Sequence, residues 1–276
     1  MSLPSRITPQ RITDLPHALR DRQLFTARLA GRRPAVFLDY DGTLTPIVDR
    51  PEDAVITEDM RDAVRRLAAR TTVCVVSGRD RPLVTQWMGI EGLVVAGSHG
   101  FDLGDRVGDH GGAALPEGFG DLLAAVTDQL RAGIASVPGA LVEPKRFSVA
   151  VHYRLAEPAR HALVAEVVDA VLAGHPGQLK LTPGKMVYEI QPNIDWDKGK
   201  AVRYLRHVLG VDGPECVSLY LGDDITDEDA FSALRETGIG VVVADCGDPE
   251  QAGRVTAAEF VLESVGEVRR FLDSLA

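Results

Sequence analysis

The stretch Ala35-Val36-Phe37-Leu38-Asp39-Tyr40-Asp41-Gly42-Thr43 decides the architecture. Four consecutive apolar residues without helical spacing predict a strand over 35–38 that is buried on both faces. Strands of that kind belong to parallel sheets covered by helices on both sides. In such sheets ligands bind beyond the carboxyl ends of the strands, so Asp39 points into a binding crevice. Asp41, two residues on, can reach the same group. An aspartate there can attack phosphorus, and a second carboxyl can protonate the leaving oxygen and then take a proton from water. Gly42 permits an unusual turn, and Thr43 offers a hydroxyl and an N–H to an anion. Asp-Gly is also ordinary turn chemistry, so taken alone the run leaves a plain turn open.

A second acidic cluster far downstream repeats the pattern. Val217-Ser218-Leu219-Tyr220-Leu221 reads as a strand, and Gly222-Asp223-Asp224-Ile225-Thr226-Asp227-Glu228-Asp229 follows it. Crowded carboxylates repel unless a cation neutralises them. A Mg²⁺ site assembled from both clusters is the simplest account, with Asp223 a direct ligand and Asp224 and Asp227 holding its waters. A capping role for Thr226, with Glu228 and Asp229 in the first turn, explains those three residues but not Asp223 and Asp224.

Between the clusters the periodicity alternates. Strands are predicted over 73–76, 93–96, 217–221, 239–243 and 260–262. Helices are predicted over 58–70, from 226 onward and over 265–275. This gives an α/β core with a parallel sheet. Residues 108–192 differ. A Gly-rich stretch at 108–112 opens them, and a helix over 119–132 follows. An alternating strand over 146–154, a helix over 158–173 and strands over 178–182 and 186–190 come next. That order suggests an inserted α+β domain with an antiparallel sheet, hinged at 108–112 and at Pro192. The expected division is an N-terminal arm, 1–30, either mobile or docked and irregular; a core, 31–107 and 193–276; and an insert, 108–192.

The 276 residues are 45% hydrophobic, enough for a sizeable core. The net charge of −10 argues against nucleic-acid or anionic-membrane binding, which needs basic patches, but not against a phosphorylated substrate. Cys74, Cys216 and Cys246 are widely spaced and form no disulfide framework, so a cytoplasmic location is expected. No apolar run reaches the ~20 residues of a membrane span.

Two weaker signals complete the chemistry. Ser77-Gly78-Arg79 ends the strand over 73–76, where a hydroxyl and backbone N–H groups can approach a phosphate. Lys198, in Asp197-Lys198-Gly199-Lys200, would balance the charge of Asp39 and of a transferring phosphoryl group. Alone, each is also ordinary surface chemistry.

The order Asp39-x-Asp41-Gly-Thr, Ser77, Lys198 and Gly222-Asp223-Asp224-x-x-Asp227 resembles the haloacid dehalogenase superfamily of phosphatases. Within it the chain is similar to the trehalose-6-phosphate phosphatase family, through 37–48, Ser77-Gly78-Arg79, Gly97-Ser98-His99-Gly100, 187–192, 197–200 and above all 220–231. The resemblance implies a Rossmann-like core with a mobile cap inserted after the second motif. It implies Asp39 as nucleophile, Asp41 as general acid and base, and Ser77 and Lys198 on the phosphoryl group. It also implies Mg²⁺ held by Asp39, the carbonyl of Asp41 and Asp223, with Asp224 and Asp227 supporting metal waters and Lys198. In the cap it implies a disaccharide gripped by Glu143, Lys145, Lys185 and Glu189, with Arg79 and His99 as candidates for contacting substrate or closing the cap; His152 and Arg154, on one face of the alternating strand, read as structural or cap-surface. The substrate it implies is a phosphorylated disaccharide, and it leaves open a trehalose-phosphate synthase as a partner. A phosphatase for another phosphorylated sugar, a phosphomutase and a non-catalytic sugar-phosphate-binding regulatory module are the alternatives.

Overall fold

The computed structural model describes residues 9–104 and 117–276. The chain divides into two compact units, residues up to 110 together with 197–276, and residues 111–196. The expected glycine hinge at 108–112 lies outside the described residues.

The first unit begins with β1 (Gln10–Arg11), α1 (Arg22–Leu29), β2 (Arg33–Leu38), α2 (Glu58–Ala68), β3 (Val73–Val76), α3 (Arg81–Met88) and β4 (Val94–Ala96). The second contains α4 (Phe119–Ile134), β5 (Leu141–Pro144), β6 (Val149–His152), α5 (His161–Gly174), β7 (Leu179–Gly184) and β8 (Val187–Pro192). The first resumes with α6 (Lys198–Val208), β9 (Cys216–Gly222), α7 (Asp227–Leu234) and β10 (Gly238–Val243). It closes with α8 (Pro249–Ala252), β11 (Val255–Thr256), β12 (Phe260–Leu262) and α9 (Val265–Leu275).

Six strands of the first unit form one parallel sheet in the order β12-β10-β9-β2-β3-β4. The period of two divides each strand between two cores. Val36, Leu38, Val75, Leu219 and Val241 pack against α2 and α9 through Met60, Val64, Leu67, Phe271 and Leu272. Ala35, Phe37, Cys74, Tyr220 and Val242 face α6 and α7 through Val202, Leu205, Phe231 and Leu234. Chain order reverses between β2 and β9, which are neighbours. That reversal leaves a crevice at their carboxyl ends, where the two acidic clusters emerge.

Of the two alternatives expected for the segment 1–30, residues 9–30 are docked, and they carry a regular helix, α1. Phe25 is buried edge-on to Phe260 at 5.4 Å and to Phe271 at 5.0 Å. Ile12 is buried, and β1 pairs with β11. A single buried residue in α1 leaves almost no periodic signal in the sequence.

The second unit is a four-stranded antiparallel sheet, β5-β6-β8-β7, with α4 and α5 sharing its core. The strand expected over 146–154 is shorter, and β5 was not expected. Val142 is its only buried residue, too little to register as alternation. Among the described residues no helix is long and apolar enough to cross a membrane.

Candidate active site

Asp39 follows β2 directly, and its N–H donates to the carbonyl of Leu221 at the end of β9 (2.9 Å). Strand pairing alone therefore brings the two clusters together. Gly42, at φ 74°, closes the approach, since a Cβ there would overlap the Asp223 carboxylate. One carboxylate oxygen from each of Asp39, Asp223 and Asp227 falls in a set mutually within 4.8 Å, and all three residues are buried.

Lys198 opens α6 and is itself buried. Its Nζ donates to Asp39 Oδ1 at 2.8 Å and to Asp227 Oδ1 at 2.7 Å. Lys200, the other lysine of that turn, lies 3.8 Å from Asp197, so Lys198 is the one that reaches Asp39. Asp227 is saturated. Oδ1 also accepts from the Tyr220 hydroxyl at 2.6 Å, and Oδ2 accepts from the N–H groups of Asp223 and Asp224, both at 2.9 Å. With four donors on two oxygens, Asp227 acts as the post that fixes the loop and Lys198.

The Asp223 carboxylate has no hydrogen-bond partner among the described residues and is 8% exposed. Burial, then Asp39 and Asp227, push its carboxyl well above the usual range. Burial also drives Asp39 well above it, against the pull of Lys198. Burial disfavours the Lys198 ammonium, but Asp227 and Asp39 outweigh it and hold its pKa well above the ordinary value. One ammonium thus stands among three carboxylates. An oxygen-only donor set with surplus negative charge fits a hard divalent cation.

Asp41 lies in the turn after β2, and both its oxygens accept from Arg79, Oδ2 from Nε and Oδ1 from Nη2, each at 2.7 Å. Ser77 is buried at the end of β3, and its Oγ accepts from the N–H of Arg79 at 3.1 Å. Ser98 and His99 both hold positive φ, 50° and 56°, a costly conformation outside glycine. That turn lays the His99 ring over Gly78, where a Cβ would come within 2.7 Å of it. Asp39, Asp41, Ser77, Arg79, His99, Asp223, Asp224 and Asp227 therefore all follow carboxyl ends of strands of one sheet, and Lys198, the first residue of α6, reaches them through Asp39 and Asp227.

In the second unit, Glu143, Ala150, Glu189 and Thr182 lie in one row across the sheet. Glu189 is buried and accepts from Lys145 Nζ at 3.0 Å and from the Ser148 hydroxyl. Glu143 pairs with His152 at 2.7 Å. Glu143, Lys145 and Glu189 thus share a polar face. Lys185 is exposed in the turn between β7 and β8, and among the described residues its side chain makes no hydrogen bond or ion pair.

The sequence reading did not single out Tyr220 or Arg254, which donates to the carbonyl of Asp223 at 2.7 Å. A tyrosine in a strand buried on both faces needs a partner for its hydroxyl, and that was the available signal for Tyr220. Arg254 carries no such signal. A separate cluster, His17, Glu263 and Glu267, also brings three ligand-type atoms together. His17 Nδ1 accepts from the N–H groups of Leu19 and Arg20 at 3.1 and 3.2 Å, so the proton sits on Nε2 and goes to Glu267 at 2.8 Å. That nitrogen has no lone pair for a metal.

Residues 37–263 match the family model described as trehalose-phosphatase. An uncharacterized glycosyl hydrolase of Mycobacterium tuberculosis is 44% identical over 96% of this chain, which spans 20% of that relative's length. The probable trehalose-phosphate phosphatase 9 of Oryza sativa subsp. japonica is 40% identical over 94% of this chain and 74% of its own. The structure of the C. albicans trehalose-6-phosphate phosphatase C-terminal domain superposes with a TM-score of 0.76 at 24% identity, over 95% of this chain and 97% of that one. That likeness shows the fold. The match over most of the chain, with the identity to the rice relative, shows that the chain belongs to the trehalose-phosphatase family.

Proposed function

We propose that this chain hydrolyses trehalose 6-phosphate to trehalose and phosphate, with Mg²⁺ as cofactor. The observation that carries the reading is the buried Asp39, tied to Lys198 and set beside an Asp223 carboxylate that has no hydrogen-bond partner among the described residues. Asp39, the carbonyl of Asp41 and Asp223 would hold the cation, which offsets the repulsion between Asp39 and a phosphate dianion.

Asp39 attacks phosphorus in line, and the P–O bond to the sugar breaks as the aspartyl-phosphate forms. Asp41 gives a proton to the departing sugar oxygen. It then takes one from the water that cleaves the aspartyl-phosphate, returning Asp39 and releasing phosphate. Lys198 and Ser77 offset charge on the transferring oxygens. The polar face of Glu143, Lys145 and Glu189 suits a neutral sugar, because charged groups make the stronger hydrogen bonds to hydroxyls. The three free thiols are compatible with a cytoplasmic setting.

The test is phosphate release from trehalose 6-phosphate beside sucrose, glucose and mannose 6-phosphates, with and without EDTA. EDTA-sensitive release from trehalose 6-phosphate alone is expected. Release from another sugar phosphate keeps the core chemistry and removes the sugar assignment, whereas a requirement for a bisphosphate activator marks a phosphomutase. Binding without release marks a regulatory module. Asp39→Asn is expected to abolish turnover while the circular dichroism spectrum stays unchanged. A variant with near-normal rate overturns the covalent mechanism.

A further inference from the structure

The loop 223–227 owes its shape to restraints on its peptides. The Asp223 side chain has no hydrogen-bond partner among the described residues, so its direction is set by its backbone. Two groups clamp that backbone. Asp227 Oδ2 accepts from the N–H of Asp223 at 2.9 Å, and Arg254 Nη1 donates to the carbonyl of Asp223 at 2.7 Å. The sequence reading contains neither clamp: it gives Asp227 to metal waters and Lys198, and it does not mention Arg254.

Arg254 is itself held in place. Its carbonyl accepts from the N–H of Ile12 at 3.0 Å, and Val255 and Thr256, the next residues, pair with Arg11 and Gln10. From the other side, Glu228 Oε2 accepts from the N–H of Ala257 at 2.7 Å, tying this segment to the first turn of α7. Arg254 Nη2 lies 3.9 Å from Glu228 Oε1, beyond hydrogen-bond range, so the carbonyl of Asp223 is the stronger contact. A surface ion pair alone would leave the aim of Nη1 unexplained. A guanidinium beside a cation site also opposes the cation by charge, so any gain in affinity must come from geometry.

We propose that Arg254 is a positioning residue of the metal centre, holding the Asp223 peptide so that its carboxylate faces Asp39 before a cation arrives. The proposal rests on the Mg²⁺ reading given above. Partners of this outer kind change metal affinity by about 10- to 100-fold. The probe is Mn²⁺, titrated into the full chain and followed by the EPR signal of the free ion, with Asp223→Asn as the control that abolishes binding.

Arg254→Met is expected to weaken Mn²⁺ binding at least about 10-fold and to raise the Mg²⁺ needed for half-maximal turnover by the same factor. The KM for the sugar phosphate at saturating Mg²⁺ should stay within about 2-fold, a split that general loosening of the fold would not give. Arg254→Lys keeps the charge and a single donor, and should recover part of the loss. It also serves if the Met variant does not fold. Variants that bind Mn²⁺ like the wild type overturn the proposal and leave the metal reading intact. A wild-type chain that binds no Mn²⁺ and turns over in EDTA removes the metal reading, and the proposal with it.

Discussion

The grip of Arg79 on Asp41 changes the role suited to that arginine. Two of its nitrogens go to the carboxylate, Nη1 goes to the carbonyl of Pro51 at 2.7 Å, and the guanidinium lies 5.0 Å over the ring of Trp87. Trp87 in turn stacks on Tyr40 at 5.6 Å, and the Tyr40 hydroxyl donates to the carbonyl of Ala54. A planar fork held at so many points orients a carboxylate in a way that a lysine cannot. Arg79→Lys is therefore expected to lower kcat by about 10-fold or more, within the ~10²–10⁴ that general acid–base catalysis supplies. KM should change little. Steady-state kinetics decide it, because a raised KM with normal kcat would return Arg79 to the sugar-contact role suggested by the sequence. At this scale the sequence made the charged groups legible where they follow strand ends, as Asp39 and Asp223 do. It could not show which cation serves which carboxylate. Arg79 reaches Asp41, and Arg254 reaches Asp223, through folding of the chain and not through spacing along it.

Among the elements, those with many buried residues were legible and those with few were not. β2, β3, β9 and β10 are apolar on both faces and read directly as parallel strands. α1 and β5 each bury one side chain, and α3 buries two, so tertiary packing decides them. α1 shows what that packing contributes. Phe25→Ala is expected to cost about 3–5 kcal/mol in urea unfolding, as a buried aromatic at a three-ring contact should. The segment before α1 is locked separately, by His17 against Glu267 at the start of α9. Burial opposes ionisation of Glu267, but the N–H of Glu263, His17 and Arg270 outweigh it and hold its carboxyl below the ordinary value. A depressed carboxyl stabilises the fold above its unfolded pKa of about 4.3, and that contribution is lost as pH falls through the folded value. Glu267→Gln should therefore cost about 1–3 kcal/mol at pH 7. The gap to the wild type should close as pH falls below about 4. A gap that stays constant with pH would assign the loss to packing.

For the whole molecule, the question is whether the second unit can stand alone. Its core is its own: Phe119, Leu123, Val126 and Leu130 of α4 and Val164 and Val168 of α5 pack with Val142, Val149, Val151 and Ile190 of the sheet. Spacings of three and four along the helices, and of two along β6, place these side chains in one layer. The opposite face of the sheet carries Glu143, Lys145, Ser148, His152 and Glu189, where Glu189 accepts from Lys145 and Ser148 and Glu143 pairs with His152. A two-layer unit of this size lies well above the ~40 residues below which a fold needs disulfides or metals. Residues 111–196 expressed alone are therefore expected to give a single cooperative thermal transition and a dispersed amide spectrum. The ion pair gives a second reading on the same fragment. Glu189 and Lys145 are 7% and 9% exposed, and Lys145→Met would leave a buried carboxylate with the Ser148 hydroxyl as its remaining partner. Breaking such a pair costs about 3–5 kcal/mol, enough to lower the fragment's transition by well over 10 °C. A fragment that melts without cooperativity would mean that the chain 111–196 depends on the first unit to fold. An insensitive Lys145→Met would mean that the pair contributes to ligand recognition and not to the stability of its own sheet.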